Sequence, residues 1–338
     1  MPTPGLHNDI TDVEGVCVGH QTMTADGALT GVTVVVPPVG TVGGVDVRGA
    51  APGTRETDLL DPVNAVNAVD AVVLSGGSAY GLATADGVMA ALESSGRGWP
   101  VAGGVVPIVP AAVIFDLGRG EFTARPGAGD GRAAFERAAP DPVELGSVGA
   151  GTGAIAGGLR GGVGSASAVL PSGATVAALV VVNSAGSLLD PRSGELLAAR
   201  LACAADALLS RAVARERLDA YLERQRERRA ALAIGTATTI GVVVTDYALT
   251  KAQCARLAGI GHDGLARAID PVHTMFDGDT LFGLATGARG EPTPAQSFDL
   301  LDAAASCVSR AVARAVTTAA PGGPAPSYVG MLHSEPAG

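Results

Sequence analysis

Residues Thr238-Thr239-Ile240-Gly241-Val242-Val243-Val244-Thr245-Asp246 constrain the fold of this chain more than any other stretch. A run this rich in β-branched residues suits a pleated surface and crowds a helix, so it reads as a buried strand. Before it, from Gly194 to about Leu232, the pattern reads as a long amphipathic helix with seven Arg between Arg211 and Arg229. A small-residue tether, Ile234-Gly235-Thr236-Ala237, joins the two. The strand therefore opens on a hydroxyl, Thr238, and the peptide bond before it lies on an accessible, easily distorted loop.

Other segments support a sheet-rich fold. Ile10 to His20, Gly31 to Pro37, Ala71 to Leu74, Ser165 to Leu170, Ala174 to Val182 and Leu281 to Ala285 read as strands, and Val101 to Phe115 as a further apolar strand pair. Helices are predicted from Ala79 to Leu92, Asp130 to Ala138 and Ser297 to Thr318. A Thr250-Lys251-Ala252-Gln253 capping box opens another that runs to Ala266. Gly40 to Pro62 reads as a connection and the tail from Pro321 as loose. Only 3% of residues are aromatic, so Val, Ala, Leu and Ile must fill the core. Elements alternate in pairs and no linker divides them. The expectation is one α/β layered sandwich over residues 1–338.

A net charge of −10 argues against nucleic acid and anionic membrane as partners, since both select a cationic face. The most apolar region, Trp99 to Phe115, is interrupted by prolines and is too short to span a bilayer. The four cysteines, Cys17, Cys203, Cys254 and Cys307, form no CxxC pair. Together with an N-terminus that lacks a secretory pattern, this predicts a cytoplasmic protein with reduced thiols. Neither a cofactor nor a metal is expected. Lys251 is the only lysine, so a mechanism using a neutral lysine has one candidate at most.

Several segments carry chemistry beside a plainer reading. Gly149-Ala150-Gly151-Thr152-Gly153-Ala154 has the letters of a dinucleotide fingerprint but not its strand, so turns and close backbone packing are the better reading. Ser78 follows a strand and opens a helix, yet Tyr80 stands where a nucleophile elbow needs Gly. An N-cap or a pocket-lining set of backbone N–H groups fits better. His7, His20, His262, His273 and His333 have no metal-ligand spacing. Asp277-Gly278-Asp279 at a strand mouth is either an ordinary turn or a carboxylate pair whose members set each other's protonation. Asn183, closing an apolar strand, makes an Asx-turn or donates to an oxyanion.

A hydroxyl at the head of a strand, freed by cleavage before it, gains an α-amine of pKa about 7.7–8.0 that can act as its general base. Seven ordered segments carry a resemblance that fits this chemistry. They are Asn8 to Val13, Asp46 to Asp58, Leu74 to Leu82, Pro107 to Asp116, Gly161 to Ser167, Thr238 to Asp246 and His273 to Asp279. The chain resembles the family of N-terminal-nucleophile hydrolases that includes DmpA (an L-aminopeptidase/D-amidase), the β-peptidyl aminopeptidases and the 6-aminohexanoate-oligomer (nylon-oligomer) endohydrolase.

The resemblance implies an αββα sandwich cut by self-cleavage into an α fragment, residues 1–237, and a β fragment, residues 238–338. It implies Thr238 as nucleophile, with Asn183, Asp277 and Asp279 in the active site. Arg160 stands where the family often carries a catalytic Lys, and Ala237 where the nylon branch has Asn. The substrate class implied is small peptides, amino amides or ω-amino acid oligomers, and the assembly a homo-oligomer such as a tetramer. Two other readings predict an uncleaved chain: a non-catalytic ligand-binding or assembly protein, and a serine hydrolase acting through Ser78.

Overall fold

The computed structural model describes residues 3–230 and 236–333. The N-terminal half contributes strands β1 (Cys17–Met23), β2 (Thr30–Val36), β3 (Val42–Val47), β4 (Thr54–Arg55) and β5 (Val72–Ser75). A short hairpin, β6 (Trp99–Val101) and β7 (Gly104–Val106), precedes β8 (Ala111–Val113). A second two-stranded ribbon, β9 (Ile155–Ala156) and β10 (Leu159–Arg160), leads into β11 (Gly162–Val169) and β12 (Thr175–Asn183). The last strands are β13 (Thr238–Tyr247) and β14 (Thr280–Arg289). The helices are α1 (Thr84–Ser94), α2 (Ala128–Glu136), α3 (Arg215–Ala230), α4 (Lys251–Ala266), α5 (Pro294–Thr317) and α6 (Tyr328–Leu332).

Two five-stranded sheets stack face to face, one ordered β1-β2-β5-β8-β4 and the other β11-β12-β13-β14-β3. Side chains alternate across each strand, and the alternation assigns each residue to a layer. Ile240, Val242 and Val244 of β13, with Leu179 and Val181 of β12 and Phe282 and Leu284 of β14, meet Val35, Val72, Leu74 and Ile114 of the other sheet. Val243, Val180, Val182 and Leu281 face the opposite way, onto α4 and α5. On the far side Val32, Val34 and Val73 pack under α1 and α2. The architecture is thus the four-layer αββα sandwich, and the strand headed by Thr238 lies at its centre.

Most predicted strands and helices form within a few residues of their expected limits, and the Thr250 capping box is present, its side chain accepting from Gln253 N–H. Four expectations fail, the first at Ile10 to His20, where Ile10–Asp12 is a 3-10 turn and the strand begins only at Cys17. Val42–Val47 is a strand, although Gly43 and Gly44 disguise it. A Cβ at Gly44 would come within 2.3 Å of the Ala255 backbone, so glycine is what lets α4 lie close on this strand. The long helix from Gly194 begins only at Arg215, and short 3-10 turns occupy Ala199–Leu201 and Ala204–Ser210; its expected end at Leu232 lies outside the described residues. The tail from Pro321 is not loose as far as residue 333, because α6 buries Tyr328 and Met331.

The 3-10 turns serve a buried ion pair. Asp206 accepts from Arg310 Nε at 2.7 Å and from Cys203 Sγ at 3.0 Å, and Arg310 also donates to Asn8 Oδ1 at 2.7 Å. Both charges are withdrawn from water, the side chains being 0% and 4% exposed. Replacing Asp206 with Ala leaves Arg310 buried and unpaired, so urea unfolding is expected to register a loss of about 3–5 kcal/mol. A loss below about 1 kcal/mol would show that water reaches Arg310 once its partner is gone. Among the described residues no helix is long and apolar enough to cross a membrane.

Candidate active site

Layer parity predicts where Thr238 points. It shares the phase of Ile240, Val242 and Val244, so its side chain faces the inter-sheet space, at the end where β13 begins. It is 3% exposed. Across the ladder it pairs with Asn183, whose side chain has the same phase as Leu179 and Val181. The bond before it is buried and held firmly, Ala237 being 2% exposed, where the sequence led to an accessible, easily distorted loop. Ala237 N–H donates to Phe276 O at 3.1 Å, and Gly278 N–H donates to Ala237 O at 3.0 Å. Thr238 Oγ1 donates to the same carbonyl oxygen at 2.5 Å. The Ala237 carbonyl oxygen therefore accepts from both the Thr238 hydroxyl and the Gly278 N–H. Ile234 and Gly235 of the tether lie outside the described residues.

The Asp277-Gly278-Asp279 turn is locked from the β3 side. Ala51 N–H donates to Asp277 O at 3.0 Å, and Arg48 N–H and Gly49 N–H donate to Asp279 O at 3.0 and 3.2 Å. That is the structural task of the Asp46 to Asp58 segment. The Asp277 carboxylate accepts from Thr274 N–H and Oγ1 at 2.9 and 2.5 Å, and from Ala185 N–H at 3.4 Å. Burial pushes its pKa up, and the charge of Asp279 adds to the shift. Asp279 accepts from Thr239 N–H at 2.6 Å and from His273 Nδ1 at 2.8 Å. Neither carboxylate hydrogen-bonds Thr238 itself among the described residues.

Asn183 Oδ1 accepts from Arg119 Nη1 at 2.5 Å and from Ile155 N–H at 3.1 Å, while its Nδ2 donates to Phe115 O at 3.1 Å. Two donors at one atom and a carbonyl at the other fix the orientation of the amide. Arg160 is buried, donating Nη2 to Thr152 O at 3.1 Å, and burial lowers its pKa.

Several residues without a predicted role join the neighbourhood. Arg119 comes from the loop after β8, a segment with no motif of its own. His273 orients Asp279, and its ring meets His262 edge-on with centroids 4.8 Å apart. Burial is the main reason that His262 titrates down at about 4. Other candidates have structural duties. Lys251 Nζ donates to Leu59 O and Asn64 O at 2.7 and 2.9 Å, clamping the connection after β4. Ser78 has φ of 53°, and its N–H donates to Ile114 O. Gly149–Gly151 is a 3-10 turn and not the start of a nucleotide-binding helix. No cluster of three or more His, Cys, Asp or Glu able to hold a metal occurs among the described residues.

The layered arrangement and the strand-head hydroxyl define a class. The fold matches that of the L-aminopeptidase D-Ala-esterase/amidase from Ochrobactrum anthropi, a variant of the N-terminal-nucleophile hydrolase fold, with a TM-score of 0.72 at 21% identity over 94% of this chain and 88% of that one. A Burkholderia sp. β-aminopeptidase gives 0.72 at 24% identity over 94% and 89%. Residues 8–323 match peptidase family S58, and the chain belongs to that family. It is 50% identical to an uncharacterized aminopeptidase of Mycobacterium tuberculosis over 96% of this chain and 98% of that one. It is 31% identical to the 6-aminohexanoate-oligomer endohydrolase of Kocuria sp. over 83% and 76%. The protein is a hydrolase of peptide or amide bonds.

Proposed function

We propose that this chain is a self-processing aminopeptidase and amidase whose nucleophile is Thr238. The observation that carries the reading is the Ala237 carbonyl, held between Thr238 Oγ1 and the Gly278 N–H. In the first step Oγ1 attacks the Ala237 carbonyl carbon, the C–N bond breaks and the nitrogen takes up the hydroxyl proton. Water then hydrolyses the ester, leaving a carboxylate on Ala237 and a free amine on Thr238. In turnover that amine accepts the hydroxyl proton as Oγ1 attacks a substrate amide. The substrate's amine departs protonated, and water clears the acyl-enzyme.

The other residues act around this centre. Asp277 and Asp279 border the strand head and favour the ammonium form of the new N-terminus, with Asp279 fixing the backbone of Thr239. Asn183 uses one amide hydrogen on Phe115 O and offers the other to the hydroxyl or oxyanion. Arg160 adds positive potential but cannot shuttle a proton. The relatives named above favour small peptides, amino amides or ω-amino acid oligomers as substrates.

The test is intact mass under denaturing conditions with N-terminal sequencing. The expected result is replacement of the 33.3 kDa chain by fragments of about 23 and about 10 kDa, the smaller beginning Thr-Thr-Ile-Gly. A single species, stable over days, would instead favour an uncleaved binding or assembly protein.

A further inference from the structure

Basic groups beside the strand head lack matching acids. Arg119 Nη1 bonds Asn183 Oδ1 and Gly153 O, both at 2.5 Å. Arg160 is 4% exposed, yet its Nε and Nη1 are buried with no acceptor among the described residues. Arg228 of α3 likewise has a buried Nη1 with none. Arg119 lies within electrostatic reach of both Arg160 and Arg228. Arg119 is held down at about 10, by burial first, and the charges of Arg228 and Arg160 add to the lowering that Asp116 opposes. Asp116 is the acid that faces Arg119; its Oδ1 accepts the Gly77 N–H at 2.7 Å, its Oδ2 is buried with no hydrogen-bond partner among the described residues, and burial raises its pKa.

A buried guanidinium with idle N–H groups is costly, and an unpaired charge in the interior costs several kcal/mol. Among the described residues of this chain of net charge −10 no acceptor fills those N–H groups, and an added anion would. A carboxylate fits, because its two oxygens match the guanidinium fork.

Space is provided next to it. A cavity of about 210 Å3 is lined by Ile155, Gly158, Tyr221, Gln225, Arg228 and Pro326. Its wall residue Ile155 donates to Asn183, which faces Thr238 across the ladder. Thr238 thus lies between unlike neighbours: the β14 side carries Asp277 and Asp279, and the β12 side carries Asn183 and the arginines behind it. A substrate with an amine at one end and a carboxylate at the other complements that gradient.

We propose that Arg119, Arg160 and Arg228 form a carboxylate-binding subsite on the leaving-group side of Thr238. The preferred substrates are then short chains that end in a free carboxylate just beyond the cleaved amide. This rests on the reading of Thr238 as nucleophile.

The experiment compares kcat/KM for alanyl-alanine, alanyl-alanine amide and alanyl-glutamate α-amide, whose side-chain carboxylate is free, in the processed protein. The free acid is expected to exceed the plain amide roughly tenfold or more, the scale of a charge-assisted pair. If the glutamate α-amide matches the acid, a side-chain carboxylate fills the same subsite; if it matches the plain amide, the subsite takes an α-carboxylate. Arg228→Gln is expected to lose the preference for the free acid over the plain amide. Equal rates for acid and amide in the wild type, or an undiminished preference in Arg228→Gln, would overturn the subsite.

Calorimetry on the Thr238→Ala chain with N-acetylalanine and its amide separates the two ideas. Selective binding of the acid, combined with an inert wild type, would sink the nucleophile and leave the subsite standing. Active wild type that ignores the carboxylate would do the reverse.

Discussion

Thr238→Ala is expected to remain one 33.3 kDa chain and to lose amidase activity by at least about a thousandfold. The substitution removes only the hydroxyl and a methyl from a site that is already buried, and the Asn183 pairing and the Gly278 donor belong to the backbone and persist. The fold should therefore survive, and near-ultraviolet circular dichroism provides the check. Thr238→Ser restores an oxygen at the same place and is expected to recover cleavage. If Thr238→Ala still splits between residues 237 and 238, another group attacks that bond and the assignment fails.

The second large effect is expected at Gly278. Its N–H is the backbone donor to Ala237 O, and it has no room for a side chain. A Cβ there would come within 2.5 Å of Ala51 O and 3.0 Å of Thr238 Oγ1, so the turn must shift and carry the donor with it. Removing or misplacing one oxyanion donor slows acyl transfer by about a hundredfold or more. Gly278→Ala should therefore accumulate as precursor and process over many times the wild-type half-life, as followed by gel after synthesis. Processing at the wild-type rate would mean that this N–H does not stabilise the transition state.

Much of the architecture was legible because it rests on period-2 burial and on caps. Val242, Val243 and Val244 can only be a doubly covered strand, and Thr250 and Gln253 mark a helix start on sight. Strand β3 was hidden because its packing requirement is met by glycine, which carries no hydrophobic signal. The segment before α3 misleads for the opposite reason. Its apolar and charged residues mimic a helical face, while Asp206 is held at φ −111° and ψ 38° to reach Arg310, 104 positions away in sequence. Within the site, the turn at 277–279 and the strand-head Thr238 stand out as local patterns. Arg119 and Arg228 do not, because only the stacking of the sheets and the docking of α3 bring them beside Asn183. The Gly278 donor is a backbone group and leaves no trace in side-chain identity.

The position of β13 between β12 and β14 also determines what kind of object the cleaved protein is. Strands β11 and β12 belong to one fragment and β13 and β14 to the other, with β3 of the first closing the far edge. On the proposed cleavage, one continuous sheet would be shared by two chains, each contributing strands the other cannot replace. Cutting the bond would leave the strand pairing in place but remove the covalent memory of how the halves meet. Before the cut, recovery from denaturant is a unimolecular event, indifferent to dilution. After it, recovery requires two chains to find each other, so it slows in proportion as the solution is thinned. Maturation by the proposed cut would thus be a one-way passage, after which the molecule is maintained by not coming apart.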